Sequence, residues 1–348
     1  MRVVFDGTVV RPPYAGVQLS VLEEMRAVAG CLGDLSGCRF YSGDPEFSRA
    51  VQARGGTAPR LSTQLRRVPV RLAWQQLVLP GILRRCGAEV LHALAYTAPR
   101  RCPVPYVLNV HDIIALDRPE LCSRLNRLHM RALLPSSVRG AALCIVSTHH
   151  VADRLREVLG VSAARLAVVP LGVDAARFGA PAPRPRLPGL PEERPYLLFV
   201  GNLEPKKGID TLLDAYAIAA CASRFDLVVA GRAAWRCAGV RRRLLHWPSP
   251  GRVHWLGRVT GAALPGLMQH AAVLVQPSLE EGFGMPVLEA MAAGTPVLHS
   301  DHPALMEAAG GAGLAFRLGG AADLAGRLDA LLGDAPWQAE LAAAGRER

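Results

Sequence analysis

Short apolar runs alternate with segments of helical spacing along most of the chain. The apolar runs predict buried β-strands, and the amphipathic segments between them predict helices. The predicted strands are residues 3–5, 39–41, 89–92, 106–110, 142–146, 166–169, 196–200, 226–230, 253–256, 273–276 and 296–299. The predicted helices are residues 17–29, 72–85 with an interruption at Pro80 and Gly81, 148–159 and 209–221, with others near 235–245, 260–270 and 285–293.

A proline-rich stretch, residues 179–195, divides this alternation and predicts a semi-rigid linker. Strands that alternate with helices form parallel sheets with helices on both faces. The fold class is therefore α/β. We expect two Rossmann-like, doubly wound parallel-sheet domains, residues 1–178 and 196–348, that face each other across a cleft. Ligands of such sheets bind beyond the carboxyl ends of the strands.

The most informative stretch follows the predicted strand 273–276. It places Glu281 and Glu289 eight positions apart, with a glycine-rich turn and a helix start between them. Gly282 and Gly284 allow a tight turn and a close approach to a ligand, and Pro286 suits the first turn of a helix. Free N–H groups at a helix start favour an anion such as a diphosphate. The pattern fits a ligand with both hydroxyls and phosphate, such as a nucleotide sugar.

Composition narrows the class of protein. The 348 residues are 50% hydrophobic and 20% charged, which is typical of a globular protein of two domains. The net charge of +11 fits nucleic acid, an anionic membrane surface, a phosphorylated ligand, or simply an arginine-rich composition. No nucleic-acid motif is present and aromatic residues make up only 5%, so we expect no nucleic-acid partner.

The cellular setting follows from what the sequence does not contain. No apolar run reaches the roughly 18 residues that span a bilayer. The first residues become polar too early for a signal peptide. The eight cysteines are scattered without a CxxC pair, as in a protein of the reducing cytosol. We therefore expect a cytoplasmic protein.

Several segments resemble one known family. Residues 277–297 closely resemble the E-x7-E signature of the family 4 retaining glycosyltransferases, which have the GT-B fold. Residues 199–210 resemble the phosphate-binding loop that opens the second domain, and residues 109–114 resemble the His-Asp motif of the first. Residues 90–96 and 168–174 are also typical of the family. The resemblance covers nearly the whole chain.

The resemblance implies roles in the second domain. Glu281 would hydrogen-bond the hydroxyls of the donor sugar near the reacting carbon, and Glu289 would bind the ribose hydroxyls. Lys207 would neutralise the donor phosphate, whereas Lys206 is either a ligand contact or a solvated side chain. Backbone N–H groups of the turn would bind phosphate and sugar, with Phe283 alternatively a core residue. The donor-binding set is therefore Gly201, Asn202, Lys206, Gly282, Phe283, Gly284 and Glu289, with Glu281, Lys207 and His111 as catalytic residues.

In the first domain the resemblance places His111 beside the sugar, although a histidine after a strand is often a satisfied loop residue. Asp112 would support the acceptor side, and Gly16 marks the loop after the first strand. The chain departs from the family at Asn202, where many members have an arginine, and at Gly16, where a glycine pair is commoner. Members also usually continue beyond the position of Arg348 through a helix that returns to the first domain, and this helix is expected to be absent.

No metal site and no cofactor are expected beyond the nucleotide-sugar substrate. The sequence has no Asp-x-Asp motif, since Asp210 and Asp214 lie a helical turn apart. The adjacent pair His149 and His150 is interpreted as a solvated helix cap. In place of a metal, Lys207 and a helix dipole would balance the phosphate charge.

A basic helical face provides a candidate partner surface. Arg124, Arg127 and Arg131 recur at helical spacing with Leu125 and Leu128 beside them. The face predicts peripheral contact with anionic lipid at the inner side of the membrane or with a lipid-phosphate acceptor, or else it is an ordinary solvated helix surface.

The predicted function is transfer of a hexosyl group, with mannosyl slightly favoured, from a nucleotide sugar to a saccharide or lipid-linked glycan acceptor. In the mechanism usually proposed for the family, the leaving phosphate itself accepts the proton of the acceptor hydroxyl. Two alternatives remain, a GT-B nucleotide-sugar epimerase and a non-catalytic nucleotide-sugar-binding protein. A Rossmann dehydrogenase is disfavoured because no G-x-G-x-x-G follows the first strand.

Overall fold

The computed structural model describes residues 1–12, 14, 16–248, 252–259 and 261–348. The chain divides into two compact units, Met1–Pro170 and Leu171–Arg348. Each unit contains one six-stranded parallel sheet covered by helices.

The first unit alternates strands and helices from its first residues. Its elements are β1 (Val3–Gly7), α1 (Val17–Cys31), β2 (Cys38–Ser42), α2 (Pro45–Ala53), α3 (Val68–Ala73), α4 (Leu79–Arg85), β3 (Val90–Ala93), β4 (Tyr106–Asn109), α5 (Ile114–Asp117), α6 (Arg124–Gly140), β5 (Leu143–Val146), α7 (His149–Leu159) and β6 (Leu166–Val168).

The strand order of the first sheet is β2-β1-β3-β4-β5-β6, with every pair parallel. The chain runs outward from β1 to β2 and then returns to β3 on the other side. In an open α/β sheet such a reversal leaves a crevice at the carboxyl ends of the two central strands, here β1 and β3.

The second unit repeats this architecture with a different strand order. Its elements are α8 (Ala175–Gly179), β7 (Tyr196–Val200), α9 (Ile209–Ile218), β8 (Asp226–Ala230), α10 (Ala238–Leu245), β9 (Val253–Gly257), α11 (Leu264–Gln269), β10 (Val273–Gln276), α12 (Met285–Ala292), β11 (Val297–Ser300), α13 (Pro303–Ala309), β12 (Leu314–Phe316), α14 (Ala321–Gly333) and α15 (Ala335–Glu347).

The second sheet has the order β12-β11-β10-β7-β8-β9, again with all pairs parallel. Two wholly buried strand residues, Phe199 and Val275, belong to the core on one face of this sheet, and Leu198 and Leu274 belong to the core on the other. The order of the strands reverses between β7 and β10, so the loops after these two strands border the ligand crevice.

The predicted fold class is confirmed, and every predicted strand is present to within two residues at either end. The predicted helix 72–85 begins earlier, at Val68, and its interruption is a π-helical turn at Trp74–Val78 rather than a break at Pro80. Pro80 has no N–H to bond the carbonyl four residues earlier, and a wider turn ahead of it accommodates this loss.

The elements after residue 300 have no counterpart among the predictions. Helices α13, α14 and α15 are rich in alanine, so their sequences show little contrast between apolar and polar faces. Packing against the second sheet, rather than a strong periodic pattern, stabilises them.

The proline-rich stretch 179–195 lies within the second unit. Gln269 donates to the carbonyls of Phe178 and Ala180 at 2.6 and 2.8 Å and accepts from the N–H of Ala182 at 2.9 Å. The guanidinium of Arg184 lies 5.1 Å from the ring centroid of Tyr196. The start of the predicted linker is therefore anchored to α11 and β7 by polar contacts that its proline content does not reveal.

No helix among the described residues has both the length and the apolar character that crossing a lipid bilayer requires.

Candidate active site

The loops after β7 and β10 pack directly against each other. Gly208 has a φ of 63°, and a Cβ atom at this position would lie 1.9 Å from the carbonyl oxygen of Pro277. The N–H of Leu279 donates to the carbonyl of Lys206 at 2.8 Å. Only glycine permits this approach, and the approach places Lys207 beside the loop that carries Glu281.

Glu281 lies at the centre of a buried polar cluster. Its side chain forms an ion pair with the ammonium of Lys207. The carboxylate also accepts from Ser278 Oγ at 3.0 Å and from Gln276 Nε2 at 3.4 Å. Glu281 is only 8% exposed, so its orientation is fixed by these contacts before any ligand binds.

The electrostatic environment keeps Glu281 ionised. Burial alone would raise its pKa, but the charges of Lys207 and Lys206, with hydrogen bonds from Lys207 and Ser278, hold the pKa below its ordinary value. Lys206 therefore acts on the site at least through its charge. An ionised carboxylate is an acceptor-only group that suits sugar hydroxyls.

Glu289 lies only eight positions farther along the chain, but its environment favours the protonated form rather than the ionised one. It belongs to α12 and is 7% exposed, and in the described part of the chain no group donates a hydrogen bond to its carboxylate. Burial raises the pKa of Glu289 to about 7, against an opposing effect of the nearby Arg177. The two oxygens of the Glu289 carboxylate are therefore available to accept hydrogen bonds from a ligand diol.

The turn between the two glutamates depends on Gly284. It precedes α12 with a φ of 105°, and a Cβ there would lie 2.4 Å from Leu305 Cδ2. Gly282 is buried in the same turn. Phe283 is 6% exposed and packs in the hydrophobic core, so its side chain serves the alternative role that the sequence left open.

The loop after β7 also contacts the residues that follow β8. The N–H of Gly201 donates to Ala230 at 2.9 Å, and a Cβ on Gly231 would lie 1.7 Å from the carbonyl oxygen of Gly201. Asn202 Oδ1 accepts from Arg232 Nε at 3.4 Å. Sequence reasoning missed Arg232, which brings a positive charge to the position where Asn202 supplies none.

In the first unit His111 follows β4 and packs against Tyr96, with ring centroids 5.3 Å apart. Its Nε2 lies 2.9 Å from the carbonyl oxygen of Leu94, so Nε2 carries the proton and donates. Burial lowers the pKa of His111 despite that hydrogen bond and the charges of Glu24 and Asp112. His111 is therefore neutral at pH 7, with Nδ1 as its remaining acceptor.

Asp112 and Gly16 also lie beyond the carboxyl ends of strands in the first unit. Asp112 accepts from the hydroxyl of Tyr96 at 2.8 Å and from the N–H of Ile114 at 3.2 Å, so it orders the loop that carries His111. Gly16 caps α1 with a φ of 50°, and apart from its chain neighbours no described residue comes within 4 Å of a Cβ at this position.

A second polar cluster in the first unit was not predicted. His92 Nε2 lies 2.8 Å from Asn109 Oδ1 and 3.6 Å from Glu24 Oε1. His92 and Asn109 stand inside the motifs noted above, but Glu24 lies on α1 without a sequence signal. The parallel register of β3 and β4 and the position of α1 bring the three together.

The basic face lies on α6, as predicted. Leu125 and Leu128 are 65% and 70% exposed, and Arg124 and Arg131 are exposed as well. Residues 121–152 contain no acidic residue, so every charge that α6 itself carries is positive.

Comparisons with known proteins agree with this geometry. Residues 28–177 match the family described as "Glycosyltransferase Family 4", and residues 185–348 match "Glycosyl transferases group 1". The O-antigen chain mannosyltransferase B of Escherichia coli is 27% identical over 329 residues, which are 90% of this chain and 86% of that protein.

Solved structures share the fold over the whole chain. Sucrose-phosphate synthase from Thermosynechococcus elongatus superimposes with a TM-score of 0.76 at 22% identity, covering 100% of this chain and 94% of that one. The Anabaena HepE protein in complex with UDP and glucose gives a TM-score of 0.72 at 18% identity with the same coverage. Two parallel sheets with these strand orders, the two family matches and these likenesses lead to one conclusion: the chain belongs to the family 4 glycosyltransferases and has the GT-B fold.

Proposed function

We propose that this protein is a retaining glycosyltransferase that moves a hexosyl group, mannosyl in preference, from a nucleotide sugar to a saccharide or lipid-linked acceptor. The observation that carries the proposal is the partly buried Lys207–Glu281 ion pair at the switch point of the second sheet. The likeness to an O-antigen mannosyltransferase supports the choice of sugar and acceptor class. The HepE complex with UDP and glucose supports a nucleotide-sugar donor.

The two glutamates divide the donor between them. Ionised Glu281 accepts hydrogen bonds from sugar hydroxyls, while Glu289 accepts from the vicinal hydroxyls of the ribose. The ammonium of Lys207 stabilises the charge that develops on the leaving diphosphate, together with the N-terminus of α12. We propose that these groups act without a metal ion and without a cofactor.

The reaction balances without a nucleophile from the protein. The bond from the anomeric carbon to the diphosphate oxygen breaks, and a bond to the acceptor oxygen forms on the same face. The acceptor proton passes to the leaving phosphate. His111 contributes as a neutral side chain, with Nδ1 accepting from a sugar hydroxyl and Nε2 held by Leu94.

The test compares three variants in a chromatographic assay of sugar transfer and slow donor hydrolysis. Glu281→Gln and Lys207→Met are expected to lower turnover by about 10²–10³-fold with an intact fold by circular dichroism. The control Glu193→Gln removes an exposed carboxylate and should leave turnover unchanged. Full activity in either site variant refutes the mechanism, and donor binding without turnover in the wild type identifies a non-catalytic binding protein instead.

We also propose peripheral contact between α6 and anionic lipid at the cytoplasmic face of the membrane. The absence of acidic residues from α6 and its exposed leucines support this contact. Sedimentation with vesicles of phosphatidylserine and phosphatidylcholine tests it. Replacement of Arg124, Arg127 and Arg131 by glutamine should abolish sedimentation, and unchanged sedimentation contradicts the proposal.

A further inference from the structure

Arg11 is a buried arginine that forms no ion pair with any described residue. It lies just beyond β1 and is 9% exposed. Within the described residues, its Nε and Nη2 atoms donate to no acceptor. A buried charged donor that lacks a hydrogen bond is strongly unfavourable, so its retention calls for an explanation, and a bound anion supplies one.

The backbone around Arg11 is built to hold it in place. The N–H of Val10 donates to the carbonyl of Gly7, and the carbonyl of Val10 accepts from the N–H of Gly43, both at 2.9 Å. A Cβ on Gly43 would lie 2.8 Å from Arg11 Cγ. The missing side chain at Gly43 therefore makes room for the stem of Arg11 at the carboxyl ends of β1 and β2.

Two further arginines, Arg66 and Arg71, lie in the segment between α2 and the π-helical turn. Burial lowers the pKa of Arg11, and the charges of Arg66 and Arg71 lower it further, so both of these side chains lie near enough to Arg11 for their charges to act on it. Burial also lowers the pKa of Arg71, with an opposing effect of Asp6. In the part of the chain that the structure describes, neither Arg66 nor Arg71 forms an ion pair.

Hydrogen bonds fix this segment at the switch point of the first sheet. Gln75 Nε2 donates to Asp6 Oδ2 at 2.7 Å and to the carbonyl of Thr97 at 2.8 Å, while Thr97 Oγ donates to Gln75 Oε1 at 2.8 Å. Asp6 also accepts from the hydroxyl and N–H of Thr8 at 2.7 and 3.2 Å. The Asp6 carboxylate is thus already used by neutral donors and forms no ion pair with the arginines.

We propose that Arg11, Arg66 and Arg71 form a binding site for a phosphoryl group carried by the acceptor substrate. The unpartnered guanidinium of Arg11, with the positive charges of Arg66 and Arg71 acting on the same place, matches the charge and the several oxygens of a phosphate monoester. The site belongs to the first unit, whereas the diphosphate of the donor is assigned to Lys207 in the second. This inference rests on the proposed function, because it names the acceptor class of the same enzyme.

The first experiment is a calorimetric titration of the full chain with phenyl phosphate. It is carried out with a saturating nucleoside diphosphate chosen by thermal-shift screening, so that the donor site is filled. Arg11→Met and Arg71→Gln should weaken phenyl phosphate binding at least tenfold. Arg84→Gln, which removes an exposed charge near the end of α4, where the chain approaches the amino end of β3, should bind as the wild type does.

Thermal unfolding provides a second signature that a merely structural arginine would not give. Without phosphate, Arg11→Met should unfold at a higher temperature than the wild type, because the substitution removes an unpaired buried charge. With saturating phenyl phosphate the order should reverse, since only the wild type gains from binding. A lower unfolding temperature for Arg11→Met in both conditions, with unchanged phenyl phosphate affinity, overturns the site.

Two further arms separate the sources of the phosphoryl group. If the protein binds phenyl phosphate and also binds phosphatidylcholine vesicles that carry a polyprenyl monophosphate, the acceptor is a lipid. If it binds phenyl phosphate but not these vesicles, the acceptor is water-soluble. If Arg11→Met instead weakens the nucleoside diphosphate and spares phenyl phosphate, the arginines serve the donor and the inference is wrong. Failure of the proposed function appears separately, as no sugar transfer in a wild type that still binds phenyl phosphate through Arg11.

Discussion

Replacement of Glu289 by glutamine tests how burial controls this site. Glu289 is 7% exposed and its carboxylate accepts no hydrogen bond among the described residues, and burial raises its pKa to about 7. Glutamine keeps the size of the side chain but stays neutral at every pH. The variant therefore removes the titration of this group with little change in packing.

The sign of the effect follows from proton linkage. Below the ordinary pKa of 4.5 the carboxyl is protonated in both the folded and the unfolded state, and its contribution to stability is fully present. Between pH 4.5 and about 7 the unfolded chain ionises while the folded chain keeps its proton, so stability falls, and above about 7 the folded carboxyl ionises too and the loss levels off. The difference between a pKa of 4.5 and one of about 7 corresponds to roughly 3 kcal/mol, lost over this interval.

The assay is urea unfolding of wild type and Glu289→Gln at several pH values from 4.5 to 8. The free energy of unfolding of the variant, relative to that of the wild type, should increase by roughly 3 kcal/mol from the lowest to the highest pH. Identical pH dependence in the two proteins would refute the assignment of a raised pKa to Glu289.

The same titration predicts proton release on donor binding. Ribose hydroxyls bind best to the ionised carboxylate, so a nucleoside diphosphate should lower the pKa of Glu289 and displace its proton. Calorimetry near pH 6 in buffers of different ionisation enthalpy should detect this release in the wild type and not in Glu289→Gln. Equal release in both proteins would place the proton elsewhere.

Three other perturbations follow from the geometry. Lys207→Met should raise the pKa of Glu281 and lower donor turnover about 10²–10³-fold. Lys206→Met should lower turnover much less, and equal losses of turnover in a chromatographic assay would contradict the special role of the Lys207–Glu281 ion pair. Gly208→Ala should lower the free energy of unfolding in urea by about 2–4 kcal/mol, because Gly208 has a left-handed φ and contacts the neighbouring loop. The control Gly326→Ala lies in open space within α14 and should raise the free energy of unfolding by about 0.5–1 kcal/mol. Because the pKa of His111 is lowered, His111 should stay neutral near the ordinary histidine pKa, and the pH profiles of transfer for the wild type and His111→Gln should have the same shape there. A loss of activity near that pH in the wild type that is absent from His111→Gln would mean that His111 becomes charged during turnover.

Much of the second unit was predictable because its chemistry lies in contiguous segments. The loop before Lys207 and the stretch from Glu281 to Glu289 each fix a turn and a helix start through local glycine and proline positions. The strands before them are short apolar runs with clear boundaries. Phe283 shows where this reasoning weakens, because only packing decides between a core side chain and a ligand contact.

The residues that sequence reasoning missed are brought together from separate segments. Arg232 meets Asn202 across neighbouring loops, and Glu24 on α1 meets His92. The Arg11 site combines a loop after β1 with a segment some 55 residues later. Each of these side chains alone is an ordinary polar residue, and no spacing rule connects them.

The sequence by itself determined the alternation of strands and helices, the family, and the residue types at the E-x7-E turn, because these depend on short-range periodicity and local backbone preference. Only the tertiary structure decided which of the two glutamates is charged. Glu281 receives the charge of Lys207 from a loop 74 positions away, and Glu289 receives none of comparable strength. A pKa depends on burial and on neighbouring charges in space, and strand order rather than sequence distance sets both.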